Sequence, residues 1–335
     1  MNASVDRKTV AKALAGFVVA GVVLYLFGRV IGWAEITRTL RDANFAWVAA
    51  ACGSSLLCLL VWSKSWDVIL HLLDVHIPWR SLVPTYLAAT FADYVTPFGK
   101  AGGSPFIAYI LSADDRANYQ ESLAGVVTAD LLNLLPFFTF AGVGFVALLV
   151  QNRVPQNARG LIVGLAVLAV AMPLIIYLSY RRRDFVEGLV VKVVGPIARR
   201  TERIDAEKIR DRVDGFYDRI DIIGGNPRVM VHTLVYAFVG WVLFAAPLYL
   251  SARSLGITID PLIVLFIVPA STLAGVTPTP GGLGGVEAAI VGLLVALTPL
   301  GTGTAAAVAL LYRVASYWFV VLVGGVATGY EIYAH

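Results

Sequence analysis

V-T-P-T-P-G-G-L-G-G-V-E, from Val276 to Glu287, interrupts an apolar region that would otherwise read as buried helix. Its two prolines and four glycines cannot continue a helix, because proline lacks the N–H and glycine loses the most entropy on ordering. At bilayer depth such a break is tolerated only where it is buried in protein or lines a wet cavity. The stretch closes on a carboxylate, Glu287, that bare lipid would not accept. It predicts a broken membrane element with a polar purpose.

The rest of the chain supplies the membrane. Hydrophobic residues make up 58% of the 335 and charged residues 14%, against about 25% charged in soluble domains. With a mean hydropathy of +0.77 this is an integral membrane protein. No polar stretch reaches the ~50 residues of an independent domain, so residues 1–335 are expected to form a single membrane domain. Arg7, Lys8 and Lys12 precede an apolar run, Ala13–Ile31, that is longer than a signal-peptide core and lacks a small-residue cleavage site. It reads as an uncleaved first span. Cys52 and Cys58 lie roughly 9 Å apart along one helix, too far for a disulfide, and read as small buried hydrophobes.

Six stretches approach the ~20 residues of a full crossing: Ala13–Ile31, Ala46–Trp62, Ser122–Val150, Leu161–Tyr180, Val229–Ser251 and Ala305–Tyr330. The third is over-long and contains Pro136, which predicts tilt or a kink. Two more apolar regions, residues 81–111 and 261–299, are each split by a Pro/Gly cluster into arms too short to cross alone, a pattern that predicts re-entrant hairpins. The segment 181–228 carries twelve Lys/Arg and is expected on the cytoplasmic side, which places the N-terminus there too. Loops then assigned inside hold eighteen Lys/Arg against five outside. Under this topology the hairpins enter from opposite faces and their tips, V-T-P-F-G-K-A-G-G-S-P from Val95 and V-T-P-T-P-G-G-L-G-G-V from Val276, resemble each other. The expected fold is an all-α polytopic bundle with two halves, 1–180 and 229–335, in an inverted repeat; paired broken segments point to a transporter's site. Between the halves, Ile204, Ile209, Val213, Phe216, Ile220 and Ile223 recur at helical period among charges, predicting an amphipathic connector helix.

Ionisable residues inside spans carry the functional signal, since each costs a few kcal/mol unless paired or hydrated. They are Asp93, Lys100, Asp130, Glu287 and Arg313. Glu287 opens the helix after the glycine turn, where the helix N-terminus favours its charge. Arg313, in L-L-Y-R-V-A-S-Y-W, needs an anionic partner, which Glu287 or a substrate phosphate would provide. The first choice is a clamp on the last helices and the second a binding site. Asp93 and Asp130 could cap a break or bond a neighbouring helix. Lys100 stands at a hairpin tip beside backbone N–H groups, an arrangement suited to an anion. Gly102 and Gly103, and Gly281, Gly282, Gly284 and Gly285 beside Pro278 and Pro280, permit positive φ, and the glycines could form N–H nests around a headgroup or simply pack helices closely.

Enzyme motifs are scarce. Gly99-Lys100 is followed by Ala101 and fails the phosphate-loop pattern, and Asp67, His71 and His76 approach metal spacing only at a membrane edge, where an ordinary juxtamembrane role fits better. No cofactor or metal is implied.

P-T-P-G-G-L-G-G-V-E (Pro278 to Glu287) resembles the signature of the lysylphosphatidylglycerol-synthase transmembrane family, also called flippase-like. T-P-F-G-K-A-G-G-S-P (Thr96 to Pro105) resembles that family's other hairpin, with Ser104 where Glu is usual and Ile107 where a basic residue is common. Arg313, followed by an aromatic pair and Gly324-Gly325, looks like the family's last-helix arginine. The resemblance implies movement of lipids or lipid-linked headgroups between leaflets, with no synthase or glycosyltransferase domain appended here. The expected ligand is a membrane lipid with an anionic phosphate headgroup, held by Lys100, Arg313, the glycine N–H groups and Ser104 in the cell membrane. Nucleic acid is not expected. A membrane-embedded lipid transferase, a non-catalytic partner of a separate enzyme, and assembly with a second copy are the alternatives.

Overall fold

The computed structural model describes residues 33–96, 119–150, 206–276 and 279–334, with isolated positions elsewhere. The expected spans Ala13–Ile31 and Leu161–Tyr180, and the first broken segment beyond Thr96, lie outside these residues. Among those described there are helices and no strands: α1 (Trp33–Arg41), α2 (Phe45–Leu72), α3 (Trp79–Val95), α4 (Tyr119–Val150), α5 (Ala206–Gly224), α6 (Pro227–Ser254), α7 (Pro261–Leu273), α8 (Gly285–Leu297), α9 (Thr302–Arg313) and α10 (Phe319–Ala334). A π turn, Val314–Trp318, joins α9 to α10 without ending the rod.

Five described stretches are long and apolar enough to cross a membrane: Phe45–Leu72, Glu121–Val150, Pro227–Ser254, Pro280–Leu297 and Thr302–Glu331. The chain is an all-α, multi-pass membrane protein. Pro280–Leu297 reaches that length only by counting the turn before α8; α7 and α8 are 13 residues each, about 20 Å, against a hydrocarbon core of about 30 Å. The two arms meet at their broken ends, where a Cβ on Gly282 would lie 2.5 Å from Gly275 Cα. The positive φ of Gly281, Gly282 and Gly284 makes that turn, a backbone that L side chains rarely adopt.

Local chemistry sets the helix starts. Asn44 Oδ1 accepts from Ala46 N–H at 3.0 Å, Asn226 Oδ1 from Val229 N–H at 3.3 Å and Asp260 Oδ1 from Leu262 N–H at 2.9 Å. Pro227 and Pro261 follow the last two caps at the first helical position, where no N–H is missed. Residues Trp33–Arg41, which lie between the first two expected spans, form α1. Its Ile36 is buried, and α1 packs on α9.

Helix pairs, rather than sequence neighbours, build the bundle. The most extensive contact is α2 on α6, sealed by Trp62, Trp241, Phe244 and Phe137 with ring centroids 5.3–5.9 Å apart. A Cβ at Gly240 would overlap the Trp62 indole. Next come α3 on α10 and α4 on α7. Both use a glycine as the contact point, as membrane helices do where backbones approach closely. A Cβ at Gly324 would sit 2.7 Å from Leu87 O and 2.8 Å from Phe91 Cβ; one at Gly144 would sit 2.8 Å from Leu262 O and 2.7 Å from Phe266 Cβ. The bundle's flanks expose Val235, Val239, Val242, Leu322 and Val326, the surface lipid would cover.

The connector helix forms as its periodicity predicts. Ile223 and Tyr217 are buried, Phe216 packs against the bundle, and Arg219 Nη2 lies 2.9 Å from Glu121 Oε1 on α4.

Candidate functional site

The break between α7 and α8 leaves α8 with Gly284 as its cap, a residue with no side chain to satisfy the first N–H groups. Glu287 replaces that cap from inside the helix. Its Oε2 accepts from Gly284 N–H at 2.7 Å, the half of a capping box that a glycine cap still allows. Its Oε1 accepts from Arg313 Nε at 2.7 Å. One carboxylate thus closes the turn and anchors the last helical rod. Side-chain exposure is 2% for Glu287 and 8% for Arg313, so the pair is desolvated. Breaking such a pair by removing one member costs about 3–5 kcal/mol.

Arg313 also donates from Nη2 to Gly281 O at 2.9 Å. Its guanidinium carbon lies 4.5 Å from the centroid of the Tyr317 ring, within cation–π range. Nη1 and the second hydrogen of Nη2 meet no acceptor among the described residues. Tyr317, on the π turn, is fully buried; its ring stacks on Tyr94 at 5.5 Å and 13°, and its Oη donates to Tyr94 O at 3.2 Å. A Cβ at Gly281 would overlap the same ring, so the broken tip, the arginine and the end of α3 all close on Tyr317. A π turn inserted in an α-helix often marks a functional position, and here it carries the residue that joins the tip to α3.

Within the tip, Thr279 Oγ1 donates to Leu283 O at 2.9 Å, Gly282 N–H to Thr279 O at 3.1 Å and Leu283 N–H to Pro280 O at 3.1 Å. With Gly284 N–H held by Glu287, these amides are committed to the turn itself. An anion nest built from Gly282 and Gly284 is therefore closed in this conformation. Pro280 and Gly282 are buried, and Gly281 and Gly285 partly so.

Asp93 is half-buried one residue before Tyr94, and Asp130 is exposed on α4. Lys100, Gly102, Gly103, Ser104 and Pro278 lie outside the described residues. Asp67, His71 and His76 form a juxtamembrane network: Lys64 Nζ–Asp67 Oδ2 is 2.8 Å, His71 Nδ1 lies 2.8 Å from Asp67 O, and the two histidine rings meet edge-on at 5.3 Å. Tyr94, Tyr317 and Thr279 are the residues that sequence reasoning passed over. The available signal was spacing, since Tyr317 follows Arg313 by one helical turn.

A buried ion pair and a broken helix in a multi-pass bundle define a membrane protein with a polar centre. The chain belongs to the family of the lysylphosphatidylglycerol synthase TM region, whose model matches residues 13–324. Among curated proteins it is similar to a "UPF0104 membrane protein" of Methanothermobacter thermautotrophicus, 24% identical over 90% of each chain. It is also similar to relatives of that description in Pyrococcus horikoshii, 23% identical over 92% of this chain and 94% of the other, and in Methanocaldococcus jannaschii, 23% over 98% and 96%.

Proposed function

We propose that this protein translocates a lipid or lipid-linked headgroup between leaflets, binding an anionic phosphate beside Arg313 between two re-entrant segments. One observation carries the reading: a buried arginine, fixed to a broken membrane element, keeps N–H donors that no described residue uses. An arginine at bilayer depth is costly, and intramembrane charges by default mark substrate paths. Its fork geometry suits phosphate oxygens. The acyl or isoprenoid tail stays in lipid while the headgroup passes the tip. The reading includes the inverted repeat, Lys100 as a second cation, a single membrane domain over 1–335, and a cell-membrane setting with the N-terminus and residues 181–228 in the cytoplasm.

Reconstitution tests it. In liposomes carrying a trace of headgroup-labelled phosphatidylglycerol, the full chain should speed exposure of the label at the outer leaflet over protein-free vesicles, and more than for labelled phosphatidylcholine. Arg313→Gln should return the rate to the protein-free level. Equal rates for both headgroups and for the variant would reject the reading.

A further inference from the structure

The carboxylate of Glu287 makes the bonds that a phosphate would make. One oxygen takes a backbone N–H at the start of α8 and the other takes the guanidinium of Arg313. In this conformation the chain's own carboxylate occupies the arginine as a tethered anion. The pair is neutral as a unit, Glu287 minus one and Arg313 plus one. A phosphodiester bonded to Arg313 would add a negative charge to this desolvated pair, which is unfavourable unless a proton joins the pair or a further cation such as Lys100 moves in beside it.

We infer that Glu287 takes up a proton as the headgroup binds, so that the protein couples lipid movement to proton movement; this rests on the reading of Arg313 as an anion site. In the balanced step, a proton adds to Glu287 Oε1, the Arg313 Nε bond to that oxygen breaks, and the guanidinium bonds a phosphodiester oxygen. Glu287 Oε2 keeps Gly284 N–H, so the turn need not open. The new O–H donates to the phosphate. The charge of the Glu287–Arg313 group, with its phosphodiester once bound, stays zero before and after. On release in the opposite leaflet the proton leaves and the carboxylate recaptures the arginine. One proton accompanies each negative headgroup charge.

Among the described residues, the surroundings leave this role to Glu287. The described elements packed most against α8 are α7, α9 and the turn Ala274–Val276. Neither α7 nor that turn carries a titratable side chain, and α8 carries none besides Glu287. From α9 come Arg313 and Tyr312, and from the π turn Tyr317; both tyrosines lie close enough to interact electrostatically with Glu287. Tyr94 of α3 lies within electrostatic reach of Arg313, and Asp93 of α3 and Cys58 of α2 within reach of Tyr94. Arg313 is the cation in direct contact, and it is the group the proton would set free.

The test is a titration of detergent-solubilised full-length protein with dihexanoylphosphatidylglycerol, a soluble phosphodiester that stays monoanionic near neutral pH. Calorimetry in buffers of different ionisation enthalpy counts the protons. The expected result is about one proton taken up per lipid bound, with a new protonated-carboxyl infrared band. Glu287→Gln should bind with no proton uptake and no such band. Binding by the unaltered protein with no proton uptake would overturn the inference while leaving the anion site standing, and that measurement needs no variant to fold. Saturable binding that is absent, or that persists unchanged in Arg313→Gln or with dihexanoylphosphatidylcholine, would overturn the anion site and the inference together.

Discussion

Gly144 and Gly324 do the same work in opposite halves of the chain. Gly324 on α10 receives Leu87 and Phe91 of α3, the arm that leads into the first broken segment; Gly144 on α4 receives Leu262 and Phe266 of α7, the arm that leads into the second. Each half therefore supplies the seat for the other half's broken element, and α2 on α6 joins them at the centre. The seats match in geometry and differ in charge. N-terminal to Gly324, the rod carries Arg313, buried and bonded to the tip; N-terminal to Gly144, α4 carries Asp130, exposed. A glycine contact needs only shape, whereas a buried ion pair needs a partner at hydrogen-bond distance, which Arg313 has in Glu287.

The sharpest way to break this comparison is to remove the charge that one half has. Arg313→Gln should cost about 3–5 kcal/mol by leaving a buried carboxylate without its cation, read as the loss of thermal stability in detergent. Asp130→Asn, in the other half, should cost less than Arg313→Gln does, because Asp130 is exposed and Arg313 is buried. A smaller and symmetric effect is expected at the seats. Gly144→Leu and Gly324→Leu should each destabilise by about 1–3 kcal/mol through overpacking, and by similar amounts. A large loss at only one seat would show that the two contacts are not equivalent.

Smaller again is the link between halves at Tyr317. Tyr317→Phe keeps the stack on Tyr94 and loses only the 3.2 Å bond to Tyr94 O, about 1 kcal/mol. A small effect should also come from Glu121→Gln, which removes the partly exposed pair to Arg219 and about 0.2–1 kcal/mol, less at high salt. Chemical denaturation with and without added salt would check the last pair.

The sequence exposed some of this and concealed the rest for physical reasons. The broken tip was legible because proline and glycine act locally, wherever the chain later folds. Glu287 and Arg313 stood out because charge is costly among apolar residues, so each announced a need for the other. Their pairing leaves both earlier meanings in view, since the same bond can clamp a helix and reserve an arginine. α1 was missed because Trp33–Arg41 is polar enough to read as loop, and its one buried face depends on α9. Tyr317 and Tyr94 were missed because an aromatic on an apolar helix resembles core. The π turn was invisible, being a shift of hydrogen-bond register rather than a residue type. Committed amides in the tip were likewise hidden, since the sequence supplies glycines but not the acceptors their N–H groups will find.

The central claim is that the Glu287–Arg313 pair is a site and not a clamp alone. A neutral pair separates the two, because Glu287→Gln with Arg313→Gln keeps acceptors and donors at the tip while removing both charges, and buried ion pairs replaced together are often tolerated. Leaflet exchange of labelled phosphatidylglycerol by this double variant, matched to the unaltered protein in thermal stability, is the measurement. The account predicts exchange at the protein-free rate from a stable protein. Exchange at the unaltered protein's rate would contradict it and leave the pair as a structural clamp.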